Sequence, residues 1–147
     1  MISRFAAALA GLAFLALPAS GQSAEAVAER MTMLFGDAAP FIEAFETIQA
    51  AVAEGDGPTL AAYFPYGTPI RVDGAEVVLE SEYDLYQRYD ELITPAIAEA
   101  VAAQAFETLF VNADGVMFGD GEMWLSGICS DDSCAAFEVK IIALNSL

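Results

Sequence analysis

The sequence predicts an α+β domain, with helices from the first part of the chain packed on one face of a curved antiparallel sheet. Three observations carry this. Helix-patterned segments fill the chain to about residue 62 and return between residues 81 and 103, with apolar side chains three and four apart. The last third instead reads as short β-rich runs parted by glycine-bearing or polar turns. Between the helical stretches, Asp73-Gly74 separates two apolar runs, a strong short-range hairpin signal because both residues tolerate positive φ. Helices, hairpin, broken helix and β-meander, in that order, make an α+β arrangement.

The first residues read as an address. Met1 to Arg4 is a short basic stretch, and Phe5 to Leu17 is an unbroken run of Ala, Leu, Phe and Gly stopped by Pro18. That run reaches only about 20 Å as a helix, short of the roughly 30 Å hydrocarbon core, so it fits a secretory signal better than a membrane span. Small residues at Ala19-Ser20-Gly21, and again at Gln22-Ser23-Ala24, place cleavage between residues 21 and 25. Residues 1–23 are thus expected to be a signal peptide, residues 24–147 a single α+β domain, and the location periplasmic or secreted.

Along the domain, Ala24 to Phe35 favours helix, with Gly36 at its stop. Asp37 is placed to cap a second helix from about Ala38, with Pro40 in its first turn. In that helix Phe41, Phe45, Ile48 and Val52 recur at helical spacing, Glu43, Glu46 and Glu54 point elsewhere, and Gly55 ends it. Asp56-Gly57-Pro58-Thr59 opens a short helical segment to Ala62, and Pro65 and Gly67 break the chain. Thr68 to Val72 and Ala75 to Leu79 form the hairpin. Ser81, with Asp84 three residues on, starts a helix whose apolar side carries Leu85, Tyr86, Tyr89, Leu92 and Ile93. Thr94-Pro95 restarts it to about Ala103. Strands are expected at Leu109 to Asn112, Val116 to Phe118, Gly121 to Ile128 and Ala136 to Leu144. In the last, Glu138 and Lys140 alternate with Phe137, Val139 and Ile141, which suits a sheet with one wet face.

Charge excludes whole classes of function. The chain carries 22 acidic and 5 basic side chains, no histidine, and a net charge of −17, which becomes −18 once Arg4 leaves with the signal. Phosphate backbones and anionic lipid surfaces are held by clustered Lys and Arg, so neither nucleic acid nor a membrane surface is an expected partner after cleavage. Without imidazole, Ser-His-Asp and Cys-His chemistry and histidine metal ligation are closed. Any acid or base is then a carboxylate, a tyrosine or Lys140. The two cysteines, Cys129 and Cys134, bracket Ser130-Asp131-Asp132-Ser133 and read as a disulfide across a hairpin end in an oxidising compartment. Asp131 and Asp132 would raise a thiol's pKa, which speaks against a reactive pair.

The strand-rich segment carries a resemblance. Leu109-Phe110-Val111-Asn112, Gly115-Val116-Met117 and Gly119-Asp120-Gly121-Glu122-Met123-Trp124-Leu125 resemble a motif of small, largely uncharacterised secreted bacterial proteins. The likeness covers roughly residues 58 to 145, with counterparts for the cysteine pair and the Ile-rich last strand, and implies no particular activity. The element order is similar to the cone-shaped superfamily of nuclear transport factor 2 and the ketosteroid isomerases. That likeness implies a cone-like sheet, often with a pocket between sheet and helices, and in some members proton transfer by an Asp base with a Tyr oxyanion donor. It leaves open whether two copies pair through the sheet as a homodimer, as many such cones do.

Candidate residues follow from these readings. Catalytic candidates are Asp84 and Asp90 with Tyr86 and Tyr89, or with Tyr63 and Tyr66; the competing reading puts both tyrosines of the helix in the core and both aspartates on its wet face. Tyr63, Tyr66, Trp124 and Glu122 are binding candidates, Trp124 on condition that it faces inward with Ser126 and Ile128. Asn112, Asp114, Asp120 and Glu122 invite a calcium loop. That template fails, because it sets Phe110 at the first ligand position and Gly121 at the bidentate one, so no metal and no cofactor are expected. Gly115, Gly119 and Gly121 read as turn and bulge residues. The expected function is a noncatalytic exported module that binds a small molecule or an exported protein through a concave sheet pocket or its acidic surface. A carboxylate-dependent isomerase, lyase or hydrolase in the same pocket is the enzymatic alternative, and an acidic inhibitor of a basic cell-wall hydrolase the third.

Overall fold

The computed structural model describes residues 21–147, so the signal-peptide reading falls almost wholly outside the described residues. Helix α1 (Ala24–Phe35) opens at Ser23, whose Oγ accepts from the Ala26 N–H, and closes at Gly36 with φ 89°. Helix α2 (Ala39–Glu54) begins one residue later than an Asp37 cap would set it: the N-cap position falls to Ala38, and the Asp37 carboxylate, one residue before it, accepts from the Ala39 N–H at 2.9 Å. Asp56 caps α3 (Gly57–Ala61) through the Thr59 N–H and hydroxyl. Strands β1 (Pro69–Val72) and β2 (Ala75–Val78) are joined by Asp73 and Gly74, at φ 48° and 82°, the paired positive values of a two-residue hairpin turn. Helices α4 (Glu82–Gln87), α5 (Tyr89–Leu92) and α6 (Pro95–Ala103) follow, then a short 3-10 turn at Phe106–Thr108. Strands β3 (Phe110–Asn112), β4 (Gly115–Phe118), β5 (Met123–Cys129) and β6 (Phe137–Leu144) complete an α+β fold.

The six strands form one open sheet in the order β2-β1-β6-β5-β4-β3. The last four make the expected antiparallel meander. One join departs from the expected all-antiparallel sheet: β1 runs parallel to β6, pairing Arg71 with Ala143 and Val72 with Leu144. The three helices α4 to α6 and the whole meander separate these strands, and no local pattern encodes a pairing over that distance. β6 carries one residue more than β5 between the Trp124–Ala143 and Leu125–Ile141 pairs, a bulge that bends the sheet.

Helices cover one face. Phe41, Ile48, Leu60, Phe64, Leu85, Leu92, Ile97 and Val101 from the helical side meet Ile70, Val111, Val116, Phe118, Met123, Leu125 and Ile141 from the sheet, and each is at most 3% exposed. Phe45 stacks on Phe118 and meets Phe106 edge-on, both at 5.4 Å. The outer edge of β3 is not left bare: Gln22 donates to the Glu107 and Leu109 carbonyls and Arg30 to that of Val111. Side chains of Gln22, just ahead of α1, and of Arg30 on it thus satisfy backbone groups that an edge strand and its approach otherwise offer to other chains.

Cys129 and Cys134 form the expected disulfide at the loop end of the β5–β6 hairpin, which is consistent with an extracellular location. Among the described residues no helix is long and apolar enough to cross a membrane. The bridge closes so short a loop that the chain-entropy model assigns it only about 2 kcal/mol. Replacing both cysteines with serine is therefore expected to lower the unfolding free energy by about that much, with faster hydrogen exchange confined to Ile128–Glu138. Exchange that accelerates evenly over the sheet would show that the bridge supports the whole fold.

Candidate functional site

The structure does not bring the sequence-derived candidates to one site. Tyr66, Tyr86 and Tyr89 gather with Asp56 and Glu82 where α3 meets α4. Gly57 makes room for the rings, since a Cβ there would stand 3.6 Å from Tyr89 and 3.7 Å from Tyr86. Tyr66 Oη donates to the Ala61 carbonyl and Tyr86 Oη to Glu82. The Tyr89 hydroxyl is enclosed without a hydrogen-bond partner among the described residues. Tyr86 was expected in the core but is 42% exposed. Its helix breaks at Arg88, so the apolar stripe read along one continuous helix is cut, and Leu85, Leu92 and Ile93 alone are buried.

The candidate acids do not face a cavity. The Asp84 carboxylate accepts from the Glu80 and Ser81 N–H groups at 2.8 and 3.1 Å, so it serves as the helix cap that its spacing predicted. Asp90 is exposed on α5. Among the described residues no charged side chain is buried, and every resolved carboxyl shift is downward, in Glu25, Asp56, Glu91 and Asp131. The enzymatic alternative called for the opposite, a carboxylate in an apolar cavity with a raised pKa. The space between helices and sheet, where the superfamily likeness placed a pocket, is occupied by Phe41, Phe64, Phe118, Leu92 and Ile97.

Tyr66 is the phenol displaced furthest. Burial, then the charge of Glu82 and the neighbouring Tyr86, raise it from 10.0 to about 12. Because the folded value lies above the unfolded one, its contribution is whole below pH 10 and is lost as the unfolded chain deprotonates first between pH 10 and about 12. Stability measured at about pH 9 and about pH 11 is expected to fall less in Tyr66→Phe than in the natural chain. An identical fall in both would show that Tyr66 ionises like a free phenol.

The loop candidates are engaged with backbone. Asn112 Oδ1 accepts from the Asp114 and Gly115 N–H groups, and Glu122 Oε2 accepts from the Asp120 N–H at 2.7 Å. Glu122 therefore holds the β4–β5 turn. Among the described residues no three His, Cys, Asp or Glu side chains gather as metal ligands would. Tyr63 packs against the core, and its carbonyl accepts from the Ile141 N–H at 2.7 Å.

Trp124 lies on the other side of the sheet. Its place as a binding residue of the inner pocket is conditional on its facing inward with Ser126 and Ile128, and that condition is not met. The buried neighbours at 0% exposure are Met123 and Leu125, so the strand's alternation turns Trp124 away from the helices. On this outer face the strand registers set one row across all six strands: Glu76, Arg71, Ala143, Trp124, Met117 and Phe110. Phe110 meets Trp124 edge-on at 6.3 Å and is 48% exposed. Ala143 is the small member between two long ones, and over it opens a hollow of about 290 Å³. Trp124, Ile142 and Ala143 line it together with Arg71, Gly74, Asp114 and Asn145. Sequence reasoning had not picked Arg71, Ile142 or Ala143, because only the distant β1–β6 pairing brings them beside Trp124. Comparison of the chain with models of known families, with curated proteins and with solved structures finds no match.

Proposed function

We propose that this chain is an exported, noncatalytic binding module that takes a small ligand in the hollow on the outer face of its sheet. The observation that carries the reading is the concavity itself. Its floor is apolar and aromatic, its rim has a few polar groups, and its volume of about 290 Å³ stands at the lower end of the range for ligand sites. The disulfide and the leader-like first residues support export.

Trp124 is the only tryptophan of the chain, so its emission reports on this hollow alone. Titration with 3-phenylpropanamide, a neutral probe of suitable size, is expected to shift and saturate that emission. Ala143→Leu, which fills the hollow from its floor, is expected to abolish the response while leaving the circular dichroism spectrum unchanged. A response that survives Ala143→Leu, or none in the natural chain, removes the hollow as the binding site. Native mass spectrometry of the exported protein reads the processing site as well. Cleavage after Gly21 is expected, because cleavage after Ala24 would remove Gln22 and Ser23 and with them the two Gln22 contacts beside β3 and the α1 cap.

A further inference from the structure

Resting on that reading of the hollow, we infer that its ligand is a monocarboxylate with a flat apolar body, held by Arg71 at its charged end and by Trp124 along its ring. The chain has few cations to offer. Arg88 is paired with Glu91 at 2.6 Å, Lys140 is held by Glu138 and the Ala62 carbonyl, and Arg30 donates to the Val111 carbonyl. Among the described residues Arg71 alone of the basic side chains has neither an ion pair nor a hydrogen bond, and it is exposed at the rim of the hollow. A guanidinium presents a planar fork of donors that a carboxylate oxygen pair satisfies in two parallel bonds.

Spacing favours one shape. Arg71 and Trp124 are two strands apart in the row, about 10 Å at the usual interstrand distance, with only the Ala143 methyl group between them. An aromatic ring can lie over Ala143 against the indole while a short chain carries its carboxylate to Arg71. Two acids limit the charge of the guest. Glu76 is opposite Arg71 on the far side, on β2, and forms no ion pair with it. Asp114 borders the hollow from the β3–β4 turn, where its carboxylate accepts from Asn112 Nδ2 at 3.3 Å. A second anionic group on the ligand would meet that carboxylate, so a dianion is disfavoured. Asp73, in the turn beside Arg71, is occupied by the Ser146 N–H.

The test pairs two probes of one shape, 3-phenylpropionate and 3-phenylpropanamide, each read by Trp124 emission. The acid is expected to bind at least roughly tenfold tighter than the amide, the advantage of a charge-assisted hydrogen bond. Arg71→Gln is expected to erase that difference and leave amide binding in place, while Glu76→Gln, which removes a competing negative charge, is expected to tighten the acid alone. Equal binding of acid and amide to the natural chain overturns the carboxylate assignment and leaves the hollow as a site. Absence of binding by both probes overturns the hollow as well. A dimeric mass in sedimentation, with Trp124 emission shielded from acrylamide without any ligand, would assign the face to a second copy of the chain and overturn both.

Discussion

Gly115→Ala is expected to lower the unfolding free energy by about 3–5 kcal/mol. Gly115 opens β4 at φ 156°, and a Cβ added there would fall on the carbonyl oxygen of Leu125 in the neighbouring strand. Backbone cannot swing aside as a side chain can. Relief requires β4 and β5 to part, which disturbs the Val116–Leu125 pair and the buried side chains beneath it. Gly67→Ala is the control. Gly67 also has positive φ, at 72°, but nothing stands within 4 Å of the added group, so only the intrinsic conformational cost of about 1–2 kcal/mol applies. Urea midpoints of the two variants separate steric clash from backbone preference. Equal losses would show that φ alone, and not the approach of β5, demands glycine at position 115.

Phe118→Ala is expected to cost about 3–5 kcal/mol through lost burial and the cavity it leaves. Its ring is 0% exposed, stacked on Phe45, which in turn meets Phe106 edge-on. These three rings tie α2 and the 3-10 turn to β4, so the void opens at the centre of the layer contact. Phe110→Ala, with its ring half in solvent on the other face, is expected to cost less than about 1 kcal/mol. Its effect should appear instead in the position of Trp124 emission, because the two rings touch. A Phe110 variant as unstable as the Phe118 one would mean that the outer face is buried in solution by another molecule.

Local signals were legible and the joins between them were not. Asp56, Ser81 with Asp84, and Thr94 could be read as helix starts because a capping side chain bonds a backbone group three residues away, and Asp37 marked the start of α2 to within one residue. The Asp73-Gly74 turn and the four meander strands followed from equally short-range chemistry. The break at Arg88 was missed because apolar spacing runs through it unchanged, and only packing shows that Tyr86 falls outside the core. The facing of Trp124 stays open in the sequence for a related reason: alternation tells which residues share a face, and Trp124, Ser126 and Ile128 do, but not which face meets the helices.

Composition, spacing and caps by themselves determined the α+β class, the element order, the disulfide pair and the exclusion of histidine chemistry, since each depends on residue type or on neighbours within a few positions. The tertiary structure alone decided that the interior is filled by aromatic and aliphatic side chains and that the hollow beside Trp124 lies on the opposite face. It did so through the parallel β1–β6 join, which sets Arg71 beside Ala143 and Trp124 from segments some fifty and seventy residues distant along the chain. Such a contact is chosen by the packing of the whole sheet, and no window of sequence contains it.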